Sequence, residues 1–178
     1  MTTPRMEETI SSRRLRDALI RAWLLTAVID GSWAVALSLI YKRPIIKLWQ
    51  GVAATLFGDR MLDGGVPTAL LGVAMHVGVA FAWSAIFLLL VLRSPWLRGV
   101  LASPGGVFKV ATVFGPMIWV VMSFGVIPLL VHRFPTVTYR WFIQLAGHAV
   151  FVGLPIVSSI ARVLRAPQGE LTRRPARL

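Results

Sequence analysis

Val66–Leu92, VPTALLGVAMHVGVAFAWSAIFLLLVL, contains no Asp, Glu, Lys or Arg. At about 1.5 Å per residue, a helix over this run measures roughly 40 Å, longer than the roughly 30 Å of a bilayer's hydrocarbon core. A soluble domain rarely buries such an element, and a membrane protein is built from them. The one ionisable residue in the run is His76. It stands on a ridge of small residues, with Gly72 before it and Ala80 and Ser84 after it. A second small ridge, Ala74, Gly78 and Ala82, lies about 200° away around the helix. Small residues let helix backbones approach closely in lipid, so both faces are predicted to pack, with Gly72 and Gly78 as contact positions.

The rest of the chain shares this character. Its 178 residues are 56% hydrophobic, with a mean hydropathy of +0.72. The apolar residues gather in long runs, which excludes an ordinary soluble domain. A net charge of +12 would point to nucleic acid in a soluble protein. Here the basic residues lie at the ends and between apolar runs, the pattern of membrane topology, so no nucleic-acid partner is expected. The absence of cysteine rules out disulfides and thiolate metal sites.

Taken in order, residues 1–17 form a polar, cytoplasmic N-terminal segment, and 18–41 a first span. Ser12-Arg13-Arg14 and Ala34-Val35-Ala36 resemble pieces of a cleaved leader. The run between them is long for a leader and carries Asp30, so a retained helix is expected. Residues 45–58 are apolar but too short to cross, which predicts an interfacial or re-entrant helix with Trp49 near the headgroups. A second span covers 66–92. Arg93-Ser94-Pro95 stops that helix, and residues 96–106 read as a loop with a turn at Pro104-Gly105-Gly106. The third span, 107–131, contains Pro116 and Pro128 and is predicted to kink. The fourth, 139–164, contains Pro155, and Gly147 and Gly153 are its expected packing positions. A basic tail, 165–178, has the composition of a disordered segment.

The fold class is therefore all-α. The chain reads as a polytopic membrane protein with four transmembrane helices in an antiparallel bundle and a short interfacial or re-entrant helix after the first span. Thirteen of the 19 Lys and Arg fall in the N-terminal, second-loop and C-terminal segments. The positive-inside rule then places both termini in the cytoplasm, and the expected location is a bacterial inner membrane.

Three ionisable residues sit within predicted spans and away from their ends: Asp30, His76 and His148. Charge in lipid is costly, so each should face the bundle interior. Counted from the outer ends of their helices, they lie roughly 12 to 17 Å deep, close enough in level to meet. A carboxylate among imidazoles can hold or relay a proton. Two His and one Asp can also coordinate a divalent metal, and two His can ligate a haem. The plainest role is to fix helix register by hydrogen bonding. No cofactor is required by the pattern, and the metal is unknown. No nucleophile has an identifiable base, so a non-catalytic protein is expected. Arg21 either snorkels or meets a lipid phosphate or a propionate. The expected partners are the lipid bilayer and a second copy of the chain or a larger membrane complex. A haem-binding electron carrier and a non-catalytic assembly partner are the rival functions.

GDRMLDGGVPTALLGVAMH, preceded by a helix bearing Asp30 and followed by GHAVFVGLPI, resembles a group of small bacterial inner-membrane proteins of YagU-like type. The matching positions are Asp30, Gly58, Gly65, Gly72, His76, Gly147, His148, Gly153 and Pro155. The resemblance spans 28–163. It implies a four-helix inner-membrane protein and no established activity.

Overall fold

A computed structural model of the chain describes residues 12–132 and 134–164. The expectations for residues 1–11 and for the 165–178 tail lie outside them. The described residues fold entirely as helices and turns, with no strand. The helices are α1 (Ser12–Ile40), α2 (Ile45–Phe57), α3 (Gly65–Arg93), α4 (Pro95–Ala102), α5 (Gly106–Val131) and α6 (Tyr139–Leu164). Four of them, α1, α3, α5 and α6, are long and apolar enough to cross a membrane.

The segment read as a loop after the second span is instead a helix, α4. Ser94 caps it by accepting a hydrogen bond from the Leu97 backbone N–H at 3.1 Å, and Pro95 occupies the first turn. Proline lacks only an N–H that a first turn leaves unpaired anyway. Ser94-Pro95 thus ends one helix and starts the next. Arg98 reaches back to the Val91 and Leu92 carbonyls at 3.0 and 2.8 Å, satisfying acceptors left free at the end of α3.

α6 is the hub. Half of its apolar window, 50%, is buried within the chain, against 22% in each of the other three long helices. Its Ile156, Val157 and Ile160 pack with Ala22 of α1, Phe87 of α3 and Phe114 of α5. The remaining apolar faces, with Leu70, Leu89, Val113 and Leu129 exposed, have the lipid-facing character that hydropathy predicts.

Glycine decides where backbones meet. A Cβ at Gly115 would overlap the His148 carbonyl, and one at Gly153 would overlap that of Ala111, so α5 and α6 touch main chain to main chain. At Gly147 a Cβ would lie 2.6 Å from the Trp33 indole nitrogen. Gly72 does the same for α2, where a Cβ would overlap the Trp49 carbonyl. Gly78 departs from expectation. It faces open space, and Ala74 and Ala82 beside it are exposed. Both α1 and α2 pack against α3, and they take the face of Gly72, Ala80 and Ser84. Among the described residues nothing covers the second ridge.

α2 also seats Trp49. Its ring lies against His76, 5.4 Å between centroids, and 3.7 Å from where a Gly31 Cβ would stand. The half-buried ring thus reaches into space that Gly31 and Gly72 leave free. Gln50 is buried and donates to the Gly65 carbonyl and Thr68 Oγ1 at 3.0 and 3.3 Å, which ties α2 to the start of α3. Lys47 adds an ion pair to Asp63 at 3.1 Å.

Pro116 sits within regular α-helix, and the departure from α geometry in α5 lies just before Pro128 instead. Met122–Val126 and Ala149–Gly153 each form a π turn, closed by bonds from Ile127 N–H to the Met122 carbonyl and from Leu154 N–H to that of Ala149. In both cases the next residue is a proline, Pro128 or Pro155. Its ring would strike the carbonyl four residues back, and the wider turn relieves that clash.

Candidate functional site

His76 and Asp30 meet between α3 and α1. His76 Nε2 lies 3.1 Å from the Ala27 carbonyl oxygen. A carbonyl only accepts, so Nε2 carries the hydrogen and donates. The other ring nitrogen, Nδ1, faces Asp30 Oδ2 at 3.9 Å, within ion-pair range and too long for a direct hydrogen bond. The Trp49 ring closes one side, and Gly31 is small enough to admit the imidazole: a Cβ there would stand 3.4 Å from Nε2. The Asp30 and His76 side chains keep only 19% and 16% of their surface.

His148 is held separately. Its Nδ1 lies 2.8 Å from the Gln144 carbonyl and must donate to it, leaving Nε2 uncommitted. The ring packs on Trp119, 4.8 Å between centroids. Trp33 of α1 donates to Gln144 Oε1 at 3.0 Å and stacks on Phe151 at 4.4 Å, fixing α1 against this part of α6.

Asp30, His76 and His148 line one cavity of about 220 Å³ at the centre of the bundle. Both π turns border it, through Met122 and Val152 with the flanking Ile127 and His148. Widened turns of this kind recur at functional sites. Two further polar groups of the lining have no hydrogen-bond partner, Thr26 Oγ1 and Trp119 Nε1. An unmet buried donor or acceptor is costly, about 1 to 3 kcal/mol, which marks the cavity as a place for a polar occupant. A wider groove of about 710 Å³, with Arg43, Ser123 and Arg140 in its walls, shares Trp119 and Ile127 with the cavity. At that end Arg140 sits 4.3 Å over the Tyr41 ring, which brings the end of α1 and the start of α6 to one level.

The three ionisable residues thus share a cavity, and two of them form a close pair. Among the described residues no three His, Cys, Asp or Glu side chains are grouped to hold a metal ion. Gly31, Gly115 and Trp119 escaped the sequence reading. A glycine before a proline inside an apolar span, as at Gly115-Pro116, was the available signal for one of them. No protein-family model, curated protein or solved structure matches the chain.

Proposed function

We propose that the chain is a small, non-catalytic multi-pass membrane protein that holds a proton at the Asp30–His76 pair. The observation that carries this is the ring geometry. With Nε2 donating to Ala27, a neutral His76 presents the Nδ1 lone pair to a carboxylate, and like faces like. One proton, on the ring or on the carboxyl, turns that repulsion into attraction. His148 and the unpaired groups of Thr26 and Trp119 supply further polar positions along the same cavity. A haem fits less well. The cavity is smaller than the roughly 300–1,000 Å³ of sites for drug-sized ligands, and His76 Nε2 is already engaged. The YagU-like resemblance is carried forward on Asp30, Gly72, His76 and His148.

Infrared difference spectra of reconstituted protein over a pH sweep test the reading. A carboxyl band that vanishes in Asp30→Asn and moves in His76→Gln is expected. A sweep in which no carboxyl signal depends on Asp30 would remove the proposal.

The proposed arrangement is four antiparallel spans in a bacterial inner membrane, termini inside, with α2 re-entrant. Paired residues support it. Trp23 donates to the Val77 carbonyl and packs on Phe81, while Gly31, further along α1, meets His76. Tyr41 lies beside Arg140, and Ala18 near Ser159. Reporter fusions should read cytoplasm after Ser103 and the outer side at Asp59 and Pro135. A cytoplasmic signal at Asp59 would overturn this topology.

A further inference from the structure

At the end of the bundle remote from Tyr41, α1 and α6 leave a cleft of about 170 Å³. Arg14, Arg21 and Arg162 line it, together with Asp17, Ala18 and Ser159. The floor is the informative part. Ser159 is 2% exposed, and its Oγ has no hydrogen-bond partner. Several other hydroxyls in these helices are satisfied on their own helix, as Ser84 on the Ala80 carbonyl at 2.8 Å and Thr112 on the Phe108 carbonyl at 3.1 Å. Ser159 forgoes that bond. A buried hydroxyl left without a partner at the base of an arginine-lined cleft is a donor awaiting an acceptor.

The walls indicate what kind. Asp17 contributes one negative charge, and Arg16 stands 3.7 Å from its carboxylate. Arg21 and Arg162 leave the cleft electropositive, and a guanidinium fork matches phosphate geometry. The cleft lies at the end of two helices long enough to span a bilayer, where lipid headgroups gather, and basic pockets between spanning helices suit anionic headgroups. We propose that this cleft binds a phosphate group, with Ser159 Oγ donating to one oxygen and Arg21 and Arg162 neutralising the others. The inference rests on the membrane reading alone and is independent of the proton at Asp30.

The test is native mass spectrometry of the full chain in detergent with short-chain phosphatidylglycerol, phosphatidylcholine and, separately, inorganic phosphate. Phosphatidylglycerol should be retained in preference to phosphatidylcholine. Arg21→Gln with Arg162→Gln should weaken retention about tenfold or more, because each basic side chain near an anionic group contributes roughly fivefold. Ser159→Ala should weaken it severalfold, and Lys109→Gln, an exposed basic residue outside the cleft, should leave it unchanged. Circular dichroism checks that every variant remains helical. Phosphatidylglycerol bound while inorganic phosphate is not identifies a lipid headgroup, and inorganic phosphate retained on its own identifies a soluble source. Equal loss in Lys109→Gln and the arginine pair would reduce the effect to general surface charge and overturn the site. So would retention of neither probe, or retention indifferent to Arg21, Arg162 and Ser159 in well-folded variants.

Discussion

Gly72→Ala is expected to unseat α2 and destabilise the protein by about 1 to 3 kcal/mol, the usual range for overpacking, and Gly72→Leu by more. The new Cβ would fall on the carbonyl oxygen, carbonyl carbon and Cα of Trp49. These are backbone atoms, so no rotamer change clears them, and the whole helix has to move. Movement of α2 would withdraw the Trp49 ring from His76 and break the bonds from Gln50 to Gly65 and Thr68. The matched comparison is Gly78, two turns nearer the middle of the same helix and facing open space. Gly78→Ala should be neutral or mildly stabilising, because alanine favours helix by up to about 1 kcal/mol over glycine. Thermal unfolding in detergent, followed by tryptophan fluorescence, reads both. Equal melting temperatures for the two alanine variants would show that α2 does not rest on Gly72.

The second large effect belongs to the polar pair. Asp30→Ala leaves His76 Nδ1 facing a void in a mostly buried site. Breaking a buried pair costs about 3 to 5 kcal/mol in soluble proteins, whereas polar contacts in membranes average nearer 0.6 kcal/mol because other partners exist. A loss of roughly 1 to 3 kcal/mol is expected, since Thr26 and the cavity give partial relief. The double variant Asp30→Ala with His76→Ala should lose less than the sum of the singles, because the second change removes a group already stranded. Strict additivity in detergent stability would mean that the 3.9 Å approach carries no interaction.

What the residues announced and what they concealed have separate physical causes. The extents of two long helices were legible because lipid selects each residue directly: 66–92 was expected and Gly65–Arg93 is found, 139–164 was expected and Tyr139–Leu164 is found, whereas α1 starts at Ser12, six residues before the expected 18, because a helix continues past its apolar part. The approach of Asp30 to His76 was legible for a related reason. Depth along a helix can be counted, and charge avoids lipid. The seat of α2 was not. Gly72 advertised a close contact, yet a glycine names no partner, and the candidates were any of the other spans. α4 was missed because eight residues are too few to establish a period. Trp119 and Ser159 were beyond reach, since whether a buried N–H or O–H finds an acceptor depends on neighbours that only the folded chain brings.

The two π turns make these helices behave as screws with a shim in the thread. Each inserts a single residue beyond the α-helical count, and everything after it is rotated back into step with what came before. Excising one shim residue, such as exposed Val150, would leave His148 and Ile156 on the sides they now occupy, but an ordinary pitch there returns the Pro155 ring to the clash that the wide turn relieves. Excising a residue outside the shim, for instance in Tyr139–His148, would instead turn one stretch of the screw by about 100° against the other. Facing is thus preserved on loss of a residue at two places only at a proline's expense, and both border the cavity that holds the buried charges.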